Sequence, residues 1–278
     1  MNSSDTVSSF ATLAAEKDNT SRNEPASFLV LAFLAGAYIG FGILLIFSVG
    51  QGVPAGTRPL VMGACFGIAL TLVIFAGAEL FTGHTMYMTL GLLTGTTSTA
   101  TLARTWLMSW IGNLLGSALL ATLFVLGGGG FILGDEANSL LLNVAQKKAT
   151  APGVELFFRA VLCNWLVCLA IWMTARTTSD MAKCFVIFWC LLAFIATGFE
   201  HSVANMTIFA VSLLSGSETA VTTMEVIHNL VFVTAGNVVA GSLIMGVGYW
   251  VAAGCPRHGQ ASQKASVASK VQRDVQWR

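Results

Sequence analysis

The chain has 278 residues, of which 55% are hydrophobic and 10% charged, with a formal net charge of +1 and a mean hydropathy of +0.75. Soluble domains carry about 25% charged residues, so this composition excludes a water-facing surface over most of the chain and makes lipid its main solvent. No basic stripe or basic–aromatic interleaving is present, which excludes nucleic acid as a partner class.

Residues 1–27 are polar and mixed in charge, unlike a cleavable leader with its basic start and short apolar core. They read as a cytoplasmic arm, and the apolar run that follows reads as a retained span. A membrane-crossing helix needs about 20 apolar residues, and the runs that qualify are 28–50, 60–82, 105–127, 155–175, 184–214 and 226–253. Residues 28–253 are therefore expected to form one six-span domain, followed by a polar tail at 254–278. The six cysteines (65, 163, 168, 184, 190 and 255) fall in or beside apolar runs without a CxxC pair. They read as small buried hydrophobes rather than clustered metal thiolates. No metal and no cofactor is expected.

Spans two and five are interrupted, at Gly77–His84 and Gly198–Asn205, and each interruption holds a glutamate and a histidine. Non-helical backbone at membrane depth is tolerated only where it is buried in protein or lines a cavity. The interruptions are related: Gly77-Ala78-Glu79-Leu80 resembles Gly198-Phe199-Glu200-His201, 121 residues later. Gly112-Asn113-Leu114-Leu115-Gly116-Ser117 in span three is matched by Gly236-Asn237-Val238-Val239-Ala240-Gly241-Ser242 in span six, with the asparagines 124 residues apart. Two pairs at nearly one offset indicate a duplicated three-span unit, and three is odd, so the halves are inverted. Inverted repeats with discontinuous helices place a binding site near the bilayer midplane. With the N-terminus cytoplasmic, inner segments hold ten lysines and arginines and outer ones four (Arg58, Lys147, Lys148 and Arg159), as the positive-inside rule requires.

His201, inside a break and beside Glu200, is able to hydrogen-bond an anion and to titrate near neutral pH; a core histidine satisfied by backbone is the bland alternative. Glu79 and Glu200 form a pair, one per half. Ionised carboxylates at the bilayer centre cost about 3 kcal/mol, so each must be neutral or bonded, and the reading favours scaffolding of the breaks over proton carriage. His84 reads either as a second pore histidine or as a helix-start residue. Thr82 is placed to face His201 across the pseudo-twofold axis. The amide of Asn113 reads as helix glue, whereas Asn164 and Asn237 are open between glue and pathway. Lys148 reads as a solvated cation or as an anion concentrator at the entrance. Phe66, Phe81 and Phe194 are candidates for dry constrictions. Glycines spaced about four apart, such as Gly112 and Gly116, let helix backbones approach closely.

The stretches Gly77-Ala78-Glu79-Leu80-Phe81-Thr82-Gly83-His84-Thr85 and Gly198-Phe199-Glu200-His201-Ser202-Val203-Ala204-Asn205-Met206 resemble the two signatures of the formate/nitrite transporter family. Cys163-Asn164-Trp165-Leu166-Val167-Cys168-Leu169-Ala170 resembles its fourth span. The likeness spans about residues 25–253 and is strongest to the bacterial nitrite branch. It implies an all-α, aquaporin-like fold of two inverted three-helix repeats. It also implies a homopentamer in the bacterial inner membrane with a pore in each subunit, passing small anions such as nitrite or formate. By motif position His201 matches the central pore histidine with Glu200 beside it, and Thr82 lies on the loop breaking span two, next to the constriction residues Leu80 and Phe81. Phe66 and Phe194 match the outer constriction, Leu70 and Val167 face the pore, and Lys148, Asn164 and Asn237 match a vestibule lysine and two polar pore residues. Glu79 stands where some relatives carry Asp.

The family resemblance implies passage of an anion through dry constrictions, where an unpaired ion pays several kcal/mol or more and a neutral acid far less. Nitrous and formic acids are stronger acids than imidazolium, whose ordinary pKa is ~6.5. Each pKa unit of mismatch costs about 1.4 kcal/mol, while neutralising both charges in a dry site returns a comparable desolvation energy. Proton relay and plain anion conduction both stay open. A water or glycerol channel would show paired Asn-Pro-Ala motifs, a membrane hydrolase would need a Ser–His or paired-Asp constellation, and a purely structural protein would not need repeated acidic breaks.

Overall fold

The computed structural model describes residues 2–134 and 138–256, and the described residues are almost wholly helical. In chain order the helices are α1 (Ser3–Asn23), α2 (Pro25–Gln51), α3 (Arg58–Phe75), α4 (Phe81–Thr94), α5 (Thr99–Leu126), α6 (Gly130–Leu133), α7 (Leu140–Ala149), α8 (Gly153–Thr174), α9 (Asp180–Ala196), α10 (Ser202–Leu214) and α11 (Thr223–Val239); a π-helical segment (Ala240–Val247) then leads into α12 (Gly248–Ala252). Five stretches are long and apolar enough to cross a membrane: α2, α3, α5, α8 and Thr223–Ala252. The pair α9 and α10, broken between, supplies the length of a sixth. Many large apolar side chains on these helices, among them Leu123, Phe158 and Phe185, are exposed, as expected of a multi-pass membrane protein whose outer face meets lipid.

Helix ends follow local chemistry. Pro25 at the start of α2 needs no backbone donor there, Ser98 and Ser139 cap α5 and α7, and Thr222 with Glu225 forms a capping box on α11. Both broken spans stop at a glycine in the left-handed region, Gly77 at φ 69° and Gly198 at φ 72°, a conformation that costs a side-chain-bearing residue about 1–2 kcal/mol. The inverted halves pack alike. Gly36 lies so close to Asn113 that a Cβ would sit 2.0 Å from its carbonyl oxygen, and Gly236 approaches the Phe157 carbonyl to 2.3 Å on the same measure. These contacts join α2 to α5 and α8 to α11.

Two expectations need correction. The breaks are shorter than Gly77–His84 and Gly198–Asn205: α4 begins at Phe81 and α10 at Ser202, because amides supplied from the neighbouring spans cap them early. Thr82 therefore sits in the first turn of α4 and not on a loop. The N-terminal arm is a 21-residue helix with an Asn2–Asp5 capping box, burying Val7, Phe10, Ala11 and Ala14 at helical spacing. Of the ten basic residues assigned to the inner side, Arg257, Lys264, Lys270, Arg273 and Arg278 lie outside the described residues.

Candidate transport pathway

Two cavities open at opposite ends of the antiparallel helices α3 and α9. One, about 340 Å³, is lined by Met62 of α3, Phe194 of α9, Lys148 of α7, and His201 and Asn205 at the start of α10. The other, about 290 Å³, is lined by Leu70 of α3, Lys183 of α9, Lys17 of α1, and Glu79 and Leu80 before α4. Met62 to Leu70 is eight residues of helix, so roughly 12 Å of protein separates the two. Phe66, Leu70, Leu80, Phe81, Val167 and Phe194 are all buried in one hydrophobic cluster, with Phe194 lining the first cavity and Leu70 and Leu80 the second. Phe66 meets Phe194 edge-on with ring centroids 5.3 Å apart.

Thr82 Oγ1 and His201 Nε2 are 3.1 Å apart, both side chains buried, and His201 lines the first cavity. His201 caps α10, its Nδ1 accepting the Ala204 N–H at 3.2 Å. A ring nitrogen that accepts carries no proton, so Nε2 holds the hydrogen and donates it to the threonine oxygen. The Thr82 hydroxyl proton is then left for another acceptor. Phe194 stacks on the imidazole, centroids 5.9 Å apart.

What holds the two break residues is a repeated clamp. Asn113 Oδ1 accepts the N–H of Phe81 at 2.9 Å, while its Nδ2 donates to the Ala32 and Glu79 carbonyls at 2.7 and 2.9 Å. Asn237 Oδ1 accepts the N–H of Ser202 at 2.9 Å, and its Nδ2 donates to the Ala160 and Glu200 carbonyls at 2.9 and 3.2 Å. The N–H groups of Glu79 and Glu200 bond the carbonyls of Leu31 and Arg159. Asn237 thus spends its amide on backbone, in the manner of Asn113. Asn164 is also fully buried, its Nδ2 within 2.6 Å of the Asn237 carbonyl and 3.0 Å of Thr85 Oγ1, which ties α8 to span six and to the turn after Thr82.

Each glutamate is buried and paired. Glu200 Oε2 lies 2.9 Å from Lys148 Nζ and accepts from Asn205 Nδ2 at 2.6 Å. Glu79 lies 2.5 Å from Lys17 Nζ and 2.9 Å from His84 Nε2. A buried carboxylate without such partners would cost several kcal/mol. The helices that bring the lysines, α1 and α7, each end just before the first span of a half, so the repeat extends to a short helix ahead of each half. Lys17 and Asn229 are the site residues that sequence reasoning passed over; Asn229 bridges Asn205 and the Lys148 carbonyl. The spacing of Val7, Phe10, Ala11 and Ala14 was the available signal for α1, whereas nothing local marked Lys17.

Residues 6–251 match the family model described as Formate/nitrite transporter. This chain belongs to that family. Its relatives include the protein named nitrite transporter NirC of Salmonella typhimurium, 52% identical over 248 residues, which are 89% of this chain and 91% of the relative. A solved structure titled FNT family ion channel superposes with a TM-score of 0.86 at 52% identity, covering 89% of this chain and 98% of the other. A second, titled Pentameric formate channel with formate bound, gives a TM-score of 0.69 at 28% identity, covering 82% and 96%.

Proposed function

We propose that this protein passes nitrite across the membrane, and with it other small monovalent weak-acid anions such as formate, through a passage within each subunit. The observation that carries the reading is the Thr82–His201 hydrogen bond standing between two cavities, each with its own lysine–glutamate pair. The similarity to a nitrite transporter at 52% identity favours nitrite over formate as the main substrate. Five subunits assemble, as in the pentameric formate channel to which the fold is similar.

Lys148 and Lys17 each offer an ammonium group to an anion at one mouth, while Glu200 and Glu79 hold the lysines in place and offset their charge. Beyond them an anion must enter a partition lined by Phe66, Phe194, Leu80 and Phe81, with Leu70 and Val167 behind. Losing its water there costs an ion far more than a neutral acid. His201 keeps Nδ1 on the Ala204 N–H and holds the anion through its Nε2–H, and a proton arriving from the cavity beside Lys148 passes to the anion there, so that the ring stays neutral and the acid crosses uncharged. Thr82 receives the Nε2–H between transfers and keeps the ring aimed at the passage. Glu200, Asn164 and Asn237 hold the backbone and the ring in place, and none of these roles requires a cofactor. The α1 end faces the cytoplasm of a bacterial cell, its plasma membrane being the site of transport, and 254–278 continues on that side.

The test is nitrite uptake into liposomes holding the purified protein, with His201→Asn and His201→Phe compared across pH. The relay requires that both variants lose most of the acid-stimulated flux. Undiminished, pH-dependent uptake in either would refute it.

A further inference from the structure

The two halves agree in backbone at their breaks and differ in the chemistry of one side chain. Five residues after Glu200, Asn205 donates an amide hydrogen to the carboxylate; five residues after Glu79, His84 presents Nε2 to the corresponding carboxylate at 2.9 Å. An amide has one protonation state, whereas imidazole has two, with an ordinary pKa of ~6.5. His84 is fully buried and its Nδ1 has no hydrogen-bond partner among the described residues. Phe28 meets the ring edge-on from α2 and the Trp106 indole donates to the His84 carbonyl from α5, so neither supplies a donor to Nδ1. The ionisable groups facing it are Glu79 in the break, Lys17 from α1 and the Tyr87 phenol one turn along α4.

We infer that His84 is a positioning residue of the cavity beside α1: by taking up a proton next to Glu79 it changes the charge that this carboxylate presents to the passage, and so the rate at which anions enter it. The inference rests on the anion-channel reading above. His84 does not line the cavity and touches no substrate; it acts through Glu79, which does line it. With His84 neutral, Glu79 and Lys17 balance. With His84 protonated, the cluster carries one positive charge in excess and draws anions in. The cluster around Glu200 is fixed in charge at this position, so this second pH response, separate from the one at His201, belongs to the α1 side.

The experiment measures nitrite flux in proteoliposomes at equal internal and external pH, with lipid-only vesicles subtracted, for the wild-type protein and His84→Asn, which copies the residue of the other half. The readout is the ratio of wild-type to variant flux. It should rise roughly three- to tenfold as pH falls from ~7.5 to ~4.5. A merely structural histidine would lower the variant by the same factor at both pH values, and a constant ratio would overturn the inference. His84→Gln serves the same measurement if the asparagine variant does not assemble. A wild-type protein that passes no nitrite at either pH would remove the channel reading together with this one.

Discussion

Asn113 and Asn237, 124 residues apart in the chain, use their side-chain amides to make the same three hydrogen bonds in the two halves of the molecule. Each accepts from the first N–H of a half-helix and donates to the carbonyl of the break glutamate and to a carbonyl of the first span. Replacing either by Ala leaves one buried N–H and the break-glutamate carbonyl unpaired, at about 1–3 kcal/mol for each. Asn113→Ala and Asn237→Ala should therefore destabilise the purified protein by similar amounts, read as matching falls in thermal unfolding midpoint. A marked inequality would mean that the two halves are not energetically equivalent.

Thr82→Val keeps the shape of the side chain and removes the oxygen that receives the His201 Nε2–H. The buried ring then has an unmet donor at the centre of the passage, worth about 1–3 kcal/mol. Nitrite uptake should fall by roughly tenfold or more, while Thr82→Ser should retain most of it. Equal loss in both variants would point to the methyl group rather than the hydroxyl.

Lys148→Met leaves Glu200 buried beside one amide, and breaking a buried pair in this way costs about 3–5 kcal/mol. Lys148→Met combined with Glu200→Gln removes both charges and should recover most of the stability without recovering anion flux. Thermal unfolding and uptake measured on the same three proteins separate the structural part of this pair from its electrostatic part.

Glycine substitutions should divide by mechanism. Gly241→Ala places a methyl 1.8 Å from Thr85 Oγ1 where span six passes α4, and such overpacking costs about 1–3 kcal/mol. Gly77→Ala meets no atom within 4 Å, so its penalty is the left-handed backbone alone, about 1–2 kcal/mol. Thr85→Ala removes the nearest atom but leaves its Cβ at 2.7 Å, so it should relieve the first variant in part and leave the second untouched, as a double-mutant comparison of unfolding midpoints would report.

Asp18 fastens α1 to α5, accepting from Thr101 at 3.1 Å and pairing with Arg104 and Arg22. Burial pushes its carboxyl up, but the Thr101 hydroxyl and the two guanidinium groups outweigh that and hold it below the ordinary value of 3.8. A carboxylate with a depressed pKa adds stability above its free value and loses it as pH falls through the depressed one. Docking of α1 should thus be insensitive to Asp18 from pH ~5 to ~8 and weaken below pH ~4. Asp18→Asn should remove that acid step and, the pair being partly solvated, loosen α1 by only about 0.5–1 kcal/mol at neutral pH. Hydrogen exchange of the α1 amides reads both effects.

Much of this molecule was legible in the chain because lipid is an unforgiving solvent. Long apolar runs, the paired Gly-x-Glu breaks and the asparagines at a near-constant offset follow from the need to satisfy backbone groups without water, so spans and inverted repeat could be read one residue at a time. The early start of α4 at Phe81 and of α10 at Ser202 could not, because the caps come from Asn113 and Asn237 on other spans. Nor could the role of Lys17, since a lysine in a polar arm reads as solvated until α1 folds back over the cavity beside Glu79. Local sequence fixes which groups must be paired; only the packed structure decides which partners, brought from 32 to 119 residues away, do the pairing.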